Sequence, residues 1–383
     1  MPTARPAYVR SARYPSDELK PVGGHRPRVP AVVCRSSTMA EEQSLALRLA
    51  ARMDEYTLDR IGGQALANAE LNQAAARDGA SIMALRDTEL AEGDAALVIA
   101  AGPSLHRQHT ARQIKESGFR GPIIATESAM AWCLRNQIVP HLVVTVDPHG
   151  SRIVRWFGDP TLDEAALARD DYFARQDMDP KFRFNQLQIN RELLALLDRH
   201  GPEIKICVAT SASPAVVKRC GETRMRVYWW NPLLDDYDRP ESLTRKIRAL
   251  NGKPCINAGG NVGTACWVIA HAVLRKSKIG ILGMDFGYYP DTTYRETQYY
   301  TELKQLLGEG RLSEAFVHIH NPYVGTDFFT DPAYYWYRMV FLEMAEQAAA
   351  TGVQTYNCTG GGILFGPGVK FVPFTKFLTA AEA

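Results

Sequence analysis

No apolar run in the 383 residues approaches the roughly 18 to 20 that a membrane-crossing helix needs, so the sequence offers no helical membrane span. The N-terminus also lacks the apolar core of a signal peptide, and a cytoplasmic location is expected. A dominant sign of charge is missing too. The formal net charge is +2, and residues 1–38 carry seven Lys or Arg against Asp17 and Glu18. The remainder is therefore mildly acidic, at −3, which gives no support for a nucleic-acid-binding body. Seven cysteines, at 34, 133, 207, 220, 255, 266 and 358, form no C-x-x-C pair. That spacing argues against a disulfide framework or zinc knuckle and for reduced core thiols. No Walker A sequence is present. What remains, at 46% hydrophobic residues, is long enough for one large α/β domain with an appendage, or for two domains.

The most informative stretch is AALVIAAGPSL at 95–105. The apolar run 96–101 suits a strand buried on both faces, as in a parallel sheet. At the turn that follows, Gly102 would let backbone N–H groups come close to a bound group, and Pro103 fixes one dihedral. Ser104 stands where an N-cap belongs, ahead of a helix over 105–117. A helix N-terminus presents unpaired N–H donors and roughly half a positive charge, a natural seat for a phosphate. The same turn meets purely geometric needs in many α/β proteins, so the rest of the chain decides whether a nucleotide is bound.

Residues 1–38, rich in Pro, Arg, Ser and Gly without periodicity, are expected to be disordered, or untranslated if Met39 is the initiator. A transit peptide is a third reading, weakened by Asp17 and Glu18. An N-terminal helical segment over 39–92 follows. Leu45, Leu47, Leu49, Ile61, Leu66 and Leu71 suit one or two surface helices, with a break at Gly62-Gly63. Strands are then expected at 122–126, 141–146, 204–209, 225–230, 278–282 and 353–357. Between them, helices are expected near 129–135, 214–220, 265–275 and 332–351. That alternation means βαβ units and a parallel sheet. Groups just past the carboxyl ends of such strands line the ligand crevice, and Glu127, Asp147 and Asp285 stand there.

Residues 151–200 break the rhythm. Trp156, Phe157, Tyr172, Phe173, Phe182 and Phe184 lie among many charges, which reads as a helical insertion, either covering a substrate or extending the packing. A second glycine-rich turn, NAGGNVGT at 257–264, opens a helix as the first does, although its glycines also suit tight packing of helix on sheet. Residues 286–332 read as a long aromatic loop containing Tyr288, Tyr289, Tyr294, Tyr299 and Tyr300, and a loop of that length and aromatic content is expected to be functional. His318 and His320 have strand spacing, but no third ligand lies near them in sequence to make a metal site.

GPSL after the first strand, Asp147 after the third, NVGTA before a helix, GMD at 283–285 and YNCTGGG at 356–362 together resemble the 6-hydroxymethylpterin diphosphokinase MptE-like family. That family includes motility accessory factors that look like flagellin glycosyltransferases, and its fold is similar to that of bacterial sialyltransferases using CMP-sugars. The resemblance runs over about 95–362, with a gap over 151–250. It implies an α/β, Rossmann-like, mainly parallel sheet with helices on both faces, in a transferase domain over 93–383.

Nucleotide binding is expected at Gly102, Pro103, Ser104, Glu127, Asn261, Gly263, Thr264, Asn357, Gly360 and Gly361. Asp147 and Asp285 would hold Mg²⁺ in a phosphoryl-transfer enzyme, or hydroxyl groups in a sugar-transfer one. Where the family usually has Gln before the second Asp, this chain has Met284.

The first functional reading is glycosyl transfer from a CMP-activated nonulosonic acid to a surface or flagellar protein or glycan acceptor. Asp147, His149, Asp285 and His318 form its catalytic set. The base would be His149, His318 or His320, because imidazole titrates near neutral pH. The second reading is Mg²⁺-dependent diphosphoryl transfer from ATP to 6-hydroxymethylpterin or a similar alcohol. A non-catalytic nucleotide-binding protein is the third, since a fold does not fix a function. The insertion and aromatic loop suit a bulky acceptor and favour the first.

Overall fold

The computed structural model describes residues 44–88, 90–108, 110–150, 153–169 and 185–382. The expectations for 1–38, Met39, Tyr172, Phe173, Phe182 and Phe184 lie outside these residues. In chain order the strands are β1 Ala80–Ser81, β2 Ala95–Ile99, β3 Ile123–Thr126, β4 Leu142–Thr145, β5 Lys205–Ala209 and β6 Arg226–Pro232. They continue as β7 Cys255–Ile256, β8 Lys278–Leu282, β9 Val317–Asn321, β10 Thr326–Thr330, β11 Gln354–Asn357 and β12 Val369–Phe371. Ten of them form one sheet in the order β1-β6-β5-β4-β3-β2-β8-β11-β12, with β7 beside β6. Every pairing in it is parallel. The chain builds outward from β2 through β3, β4, β5 and β6, then returns to add β8 and β11 on the other side. The order thus reverses between β2 and β8, and a reversal of this kind leaves a crevice at the strands' carboxyl ends.

Alternate residues of each central strand face opposite layers, as strand geometry requires. Ala96, Val98, Leu142, Val144, Cys207 and Ile281 pack on one face under the helices Val262–Val268 and Pro332–Ala349. Leu97 and Ile99 pack on the other, as do Val143, Ile206 and Val208, under helices Glu127–Arg135, Gln186–His200, Pro214–Glu222 and Phe374–Glu382. The helix from Val262 continues through a π-helical turn, Ile269–Val273, and is buried along nearly its whole length, which is why it is apolar on every side. Its Trp267 is fully enclosed, and the indole N–H donates to Thr355 Oγ1 at 3.0 Å, satisfying the one polar atom that burial would strand. The described cysteines are free thiols, five of them buried and Cys255 half-buried.

Several boundaries differ from expectation. Helix Met53–Leu71 runs unbroken through Gly62-Gly63, because its packing against helix Leu243–Asn251 outweighs the local cost of two glycines. It lies across the carboxyl edge of the sheet. Buried Asn68 Nδ2 donates to the Pro148 and Ser211 carbonyls at 2.8 and 2.9 Å, and Asn72 Nδ2 to those of Thr210 and Ala212 at 3.0 and 2.8 Å. The N-terminal segment also contributes β1 to the main sheet.

Residues 151–200 are the β4–β5 crossover. Its described parts are a 3₁₀ turn, Ile153–Phe157, and helices Glu164–Arg169 and Gln186–His200. The stretch 286–332 is not a loop but holds helix Tyr300–Leu307 and the antiparallel hairpin β9–β10. The helix expected over 105–117 divides into Ser104–Arg107 and Thr110–Glu116. Among the described residues, no helix is long and apolar enough to cross a membrane.

Candidate functional site

A cleft of about 1050 Å³ opens at the β2/β8 reversal, at the upper end of the range for small-molecule sites. Its floor is made of turns just past strand ends, at 100–103, 126–128, 146–150, 257–263 and 283–288. Its walls are helix Met53–Leu71, helix Tyr300–Leu307 and the first turns of helix Pro332–Ala349. Of the expected residues, Gly102, Pro103, Glu127, Asp147, His149, Asn261, Gly263 and Asp285 line it together.

The first turn works differently from the expectation. Ser104 is not the N-cap but the first helical residue; Pro103 precedes it, with no side-chain cap. The Ser104 hydroxyl is instead buried and donates to Asp285 Oδ2 at 2.8 Å. Gly102 donates its N–H to the Gly283 carbonyl at 2.7 Å, so that donor is spent inside the protein. A Cβ on Gly102 would lie 2.1 Å from Asp285 Oδ2, so the glycine is there to let β2 and β8 turns meet. With only four residues, the helix after it adds little dipole to this turn.

The second turn is the stronger anion seat. Asn261 caps the long central helix, accepting the Thr264 N–H at 2.9 Å, while its Nδ2 donates to Thr264 Oγ1 at 2.9 Å. Asn261, Val262 and Gly263 line the cleft, so this helix N-terminus faces it. A Cβ on Gly263 would come within 2.7 Å of Met284 Sδ, and the apolar Met284 is buried in that contact, with no polar role.

Buried carboxyls give the cleft its chemistry. Burial pushes Glu127 up to about 8, and the charge of Asp147 adds to the rise. Glu127 Oε2 has no hydrogen-bond partner. Burial also pushes Asp285 up to about 7, although the hydrogen bond from Ser104 pulls it down, and its Oδ1 is unpartnered. Both acids therefore titrate near neutral pH. Asp147 is half-buried, and its Oδ1 accepts the His149 N–H at 2.8 Å.

Asp331, which the sequence reading passed over, caps helix Pro332–Ala349 through the Tyr334 N–H at 2.9 Å and accepts from the Tyr288 hydroxyl at 2.8 Å. Burial pushes it up to about 6. Asp before Pro was the available signal, since that pair marks a capped helix start. The wall residues Asp54, Arg60, Glu302 and Tyr337 were missed as well, because helix Met53–Leu71 reaches the cleft only through tertiary packing.

Other expected residues lie elsewhere. His318 and His320 are exposed on β9, outside the cleft lining; His318 approaches the Tyr294 hydroxyl at 3.5 Å and His320 pairs with Asp327 at 2.8 Å. Asn357 is buried and holds its own loop, donating to the Leu364 carbonyl at 2.6 Å and accepting the Thr359 N–H at 3.0 Å. A Cβ on Gly360 would touch Gln108, and one on Gly361 would strike the Tyr289 hydroxyl; neither glycine lines the cleft. Among the described residues, no three Asp, Glu, His or Cys side chains are grouped to hold a metal ion.

Curated proteins give no match to this chain. Among solved structures, the MAf glycosyltransferase from Magnetospirillum magneticum AMB-1 is similar, at 14% identity and a TM-score of 0.47. The similarity covers 83% of this chain but only 42% of that one. Residues 70–157, from the end of the helix across the sheet edge through β4 to the rim of the cleft, match the family described as 6-hydroxymethylpterin diphosphokinase MptE-like, the resemblance that the motifs carry.

Proposed function

We propose that this chain is a nucleotide-dependent transferase. Its donor lies in the cleft at the β2/β8 reversal, with phosphate at the N-terminus of the helix from Val262. The group transferred is a sugar, with a CMP-activated nonulosonic acid as the donor. The observation that carries this reading is the pairing of that helix N-terminus with Glu127, a carboxyl that burial keeps largely protonated at neutral pH, and Asp285, which burial leaves partly protonated there. A protonated carboxyl does not repel a phosphate and can donate a hydrogen bond to it as the nucleotide leaves. Asp147 and His149 stand on the neighbouring rim to take the acceptor's proton. His318, exposed on β9, takes no part.

The second reading is diphosphoryl transfer from ATP to a pterin-like alcohol, favoured by the excess of carboxyls over basic groups among the described lining residues. The unpartnered Oδ1 of Asp285 and the half-buried Asp147 suit Mg²⁺, which usually takes one or two carboxylates and fills its shell with phosphate oxygens and water. Bound there, the ion would neutralise charge on the phosphoryl group.

Release of CMP from the activated sugar and of AMP from ATP, each with and without EDTA, separates the two. CMP release that survives EDTA, and falls about 10²- to 10³-fold in Glu127→Ala, supports the first. AMP release abolished by EDTA supports the second, and no release of either overturns both.

A further inference from the structure

The walls of the cleft carry acidic and aromatic side chains of their own, as its floor carries acids. Carboxyls at Asp54, Glu127, Asp147, Asp285, Glu302 and Asp331 line the cavity, whereas among the described residues Arg60 is the one Lys or Arg in the lining. Asp54 and Glu302 line it from the two wall helices. Arg60 pairs with Glu302 Oε1 at 2.9 Å and lies close enough to Tyr337 to influence its hydroxyl. The other oxygen of Glu302 is shut off from solvent and has no hydrogen-bond partner. On the floor of the same cleft, the nearly fully buried Glu127 also has an unpartnered carboxyl oxygen. Tyr299, Trp336 and Tyr337 supply aromatic surface beside these groups, and the Tyr299 and Tyr337 hydroxyls meet at 3.1 Å.

Carboxylate beside aromatic rings is the arrangement that recognises an organic cation, through charge, hydrogen bonds and the ring quadrupole. The acids are spread around the wall, and among the described residues no three are grouped as ion ligands, so the lining suits an extended organic cation more than a bare metal ion. An enclosed cleft bordered by tyrosine and tryptophan suits a sugar ring more than a peptide.

We infer that the wall side of the cleft is the acceptor subsite and takes an amino sugar with a free ammonium group, held by Glu302 and Asp54 against Tyr299 and Tyr337. In the free protein, Arg60 fills the cation's place at Glu302. This rests on the transferase reading only in naming the ligand as the acceptor; the charge argument is independent of any donor.

Calorimetric titration of the full chain in EDTA with glucosamine and with N-acetylglucosamine tests it, since the two share a ring and differ in the ammonium charge. Glucosamine should bind at least about tenfold more tightly, the advantage shrinking with added salt. Glu302→Gln should remove most of that advantage, and Arg60→Ala, which vacates the carboxylate, should tighten glucosamine binding. Equal affinity for the two sugars would overturn the proposal, as would a glucosamine preference unaltered in Glu302→Gln. Binding of lysine amide in place of glucosamine would overturn the assignment to a sugar. CMP and ATP titrated in parallel report on the donor separately: their failure with glucosamine selectivity intact would sink the transferase reading and leave the cation site standing.

Discussion

Replacing Glu127 by Gln tests whether this carboxyl is held neutral by burial. In an unfolded chain the group has its ordinary value of 4.5; in the folded protein it is pushed up to about 8. Below about pH 4.5 both states bind the proton. Between the two values only the folded state keeps it, so stability falls as pH rises, by at most about 1.4 kcal/mol per pH unit for this group. From pH 5.5 to 7.5 the ceiling is therefore about 3 kcal/mol, and relaxation around a buried charge reduces it to roughly 1–2 kcal/mol. Glutamine has the shape of the protonated acid and does not titrate. Its lead in unfolding free energy over wild type should thus grow by that amount between pH 5.5 and pH 7.5. Urea unfolding followed by tryptophan fluorescence at both values measures the difference. Parallel wild-type and variant values across this interval would refute the buried neutral acid, and with it the acid assigned to the leaving phosphate.

Gly102→Ala should cost about 3 kcal/mol or more in urea unfolding, since the new Cβ would sit 2.1 Å from Asp285 Oδ2 and 2.5 Å from the Gly283 carbonyl. Asn68→Ala removes both hydrogen bonds from its side-chain amide to the Pro148 and Ser211 carbonyls, and should cost about 2–3 kcal/mol while speeding amide exchange in helix Met53–Leu71. Ser104→Ala takes away the hydrogen bond that pulls Asp285 down from its burial-raised value, so the pH profile of transferase activity should shift to higher pH; an unmoved profile would show that Asp285 does not govern it.

Most of the main sheet was legible because a strand buried on both faces leaves a plain mark: 278–282 is read as it folds, 123–126, 142–145 and 205–209 within a residue at either end, and 95–99 within two. The strand-end acids were legible for the same reason, since topology alone puts Glu127, Asp147 and Asp285 on one edge. What could not be read depends on partners distant in sequence. Gly102 looks like a phosphate turn, yet its neighbour is Asp285, brought beside it by β8. Gly62-Gly63 looks like a break until helix Leu243–Asn251 packs on it. The hairpin β9–β10 had a signal in its Val-His-Ile-His alternation, but Ile319 of that alternation packs against the core, which leaves the histidines on the opposite, exposed side and not in a site.

The most direct test of the account is a crystal structure of this protein with CMP or ATP bound, the nucleotide chosen by titration. The account predicts the nucleotide in the cleft between β2 and β8, its phosphate at the 261–263 helix start and within hydrogen-bond reach of Glu127 or Asp285. A nucleotide bound anywhere else, or a phosphate held by Gly360 and Gly361, would contradict it.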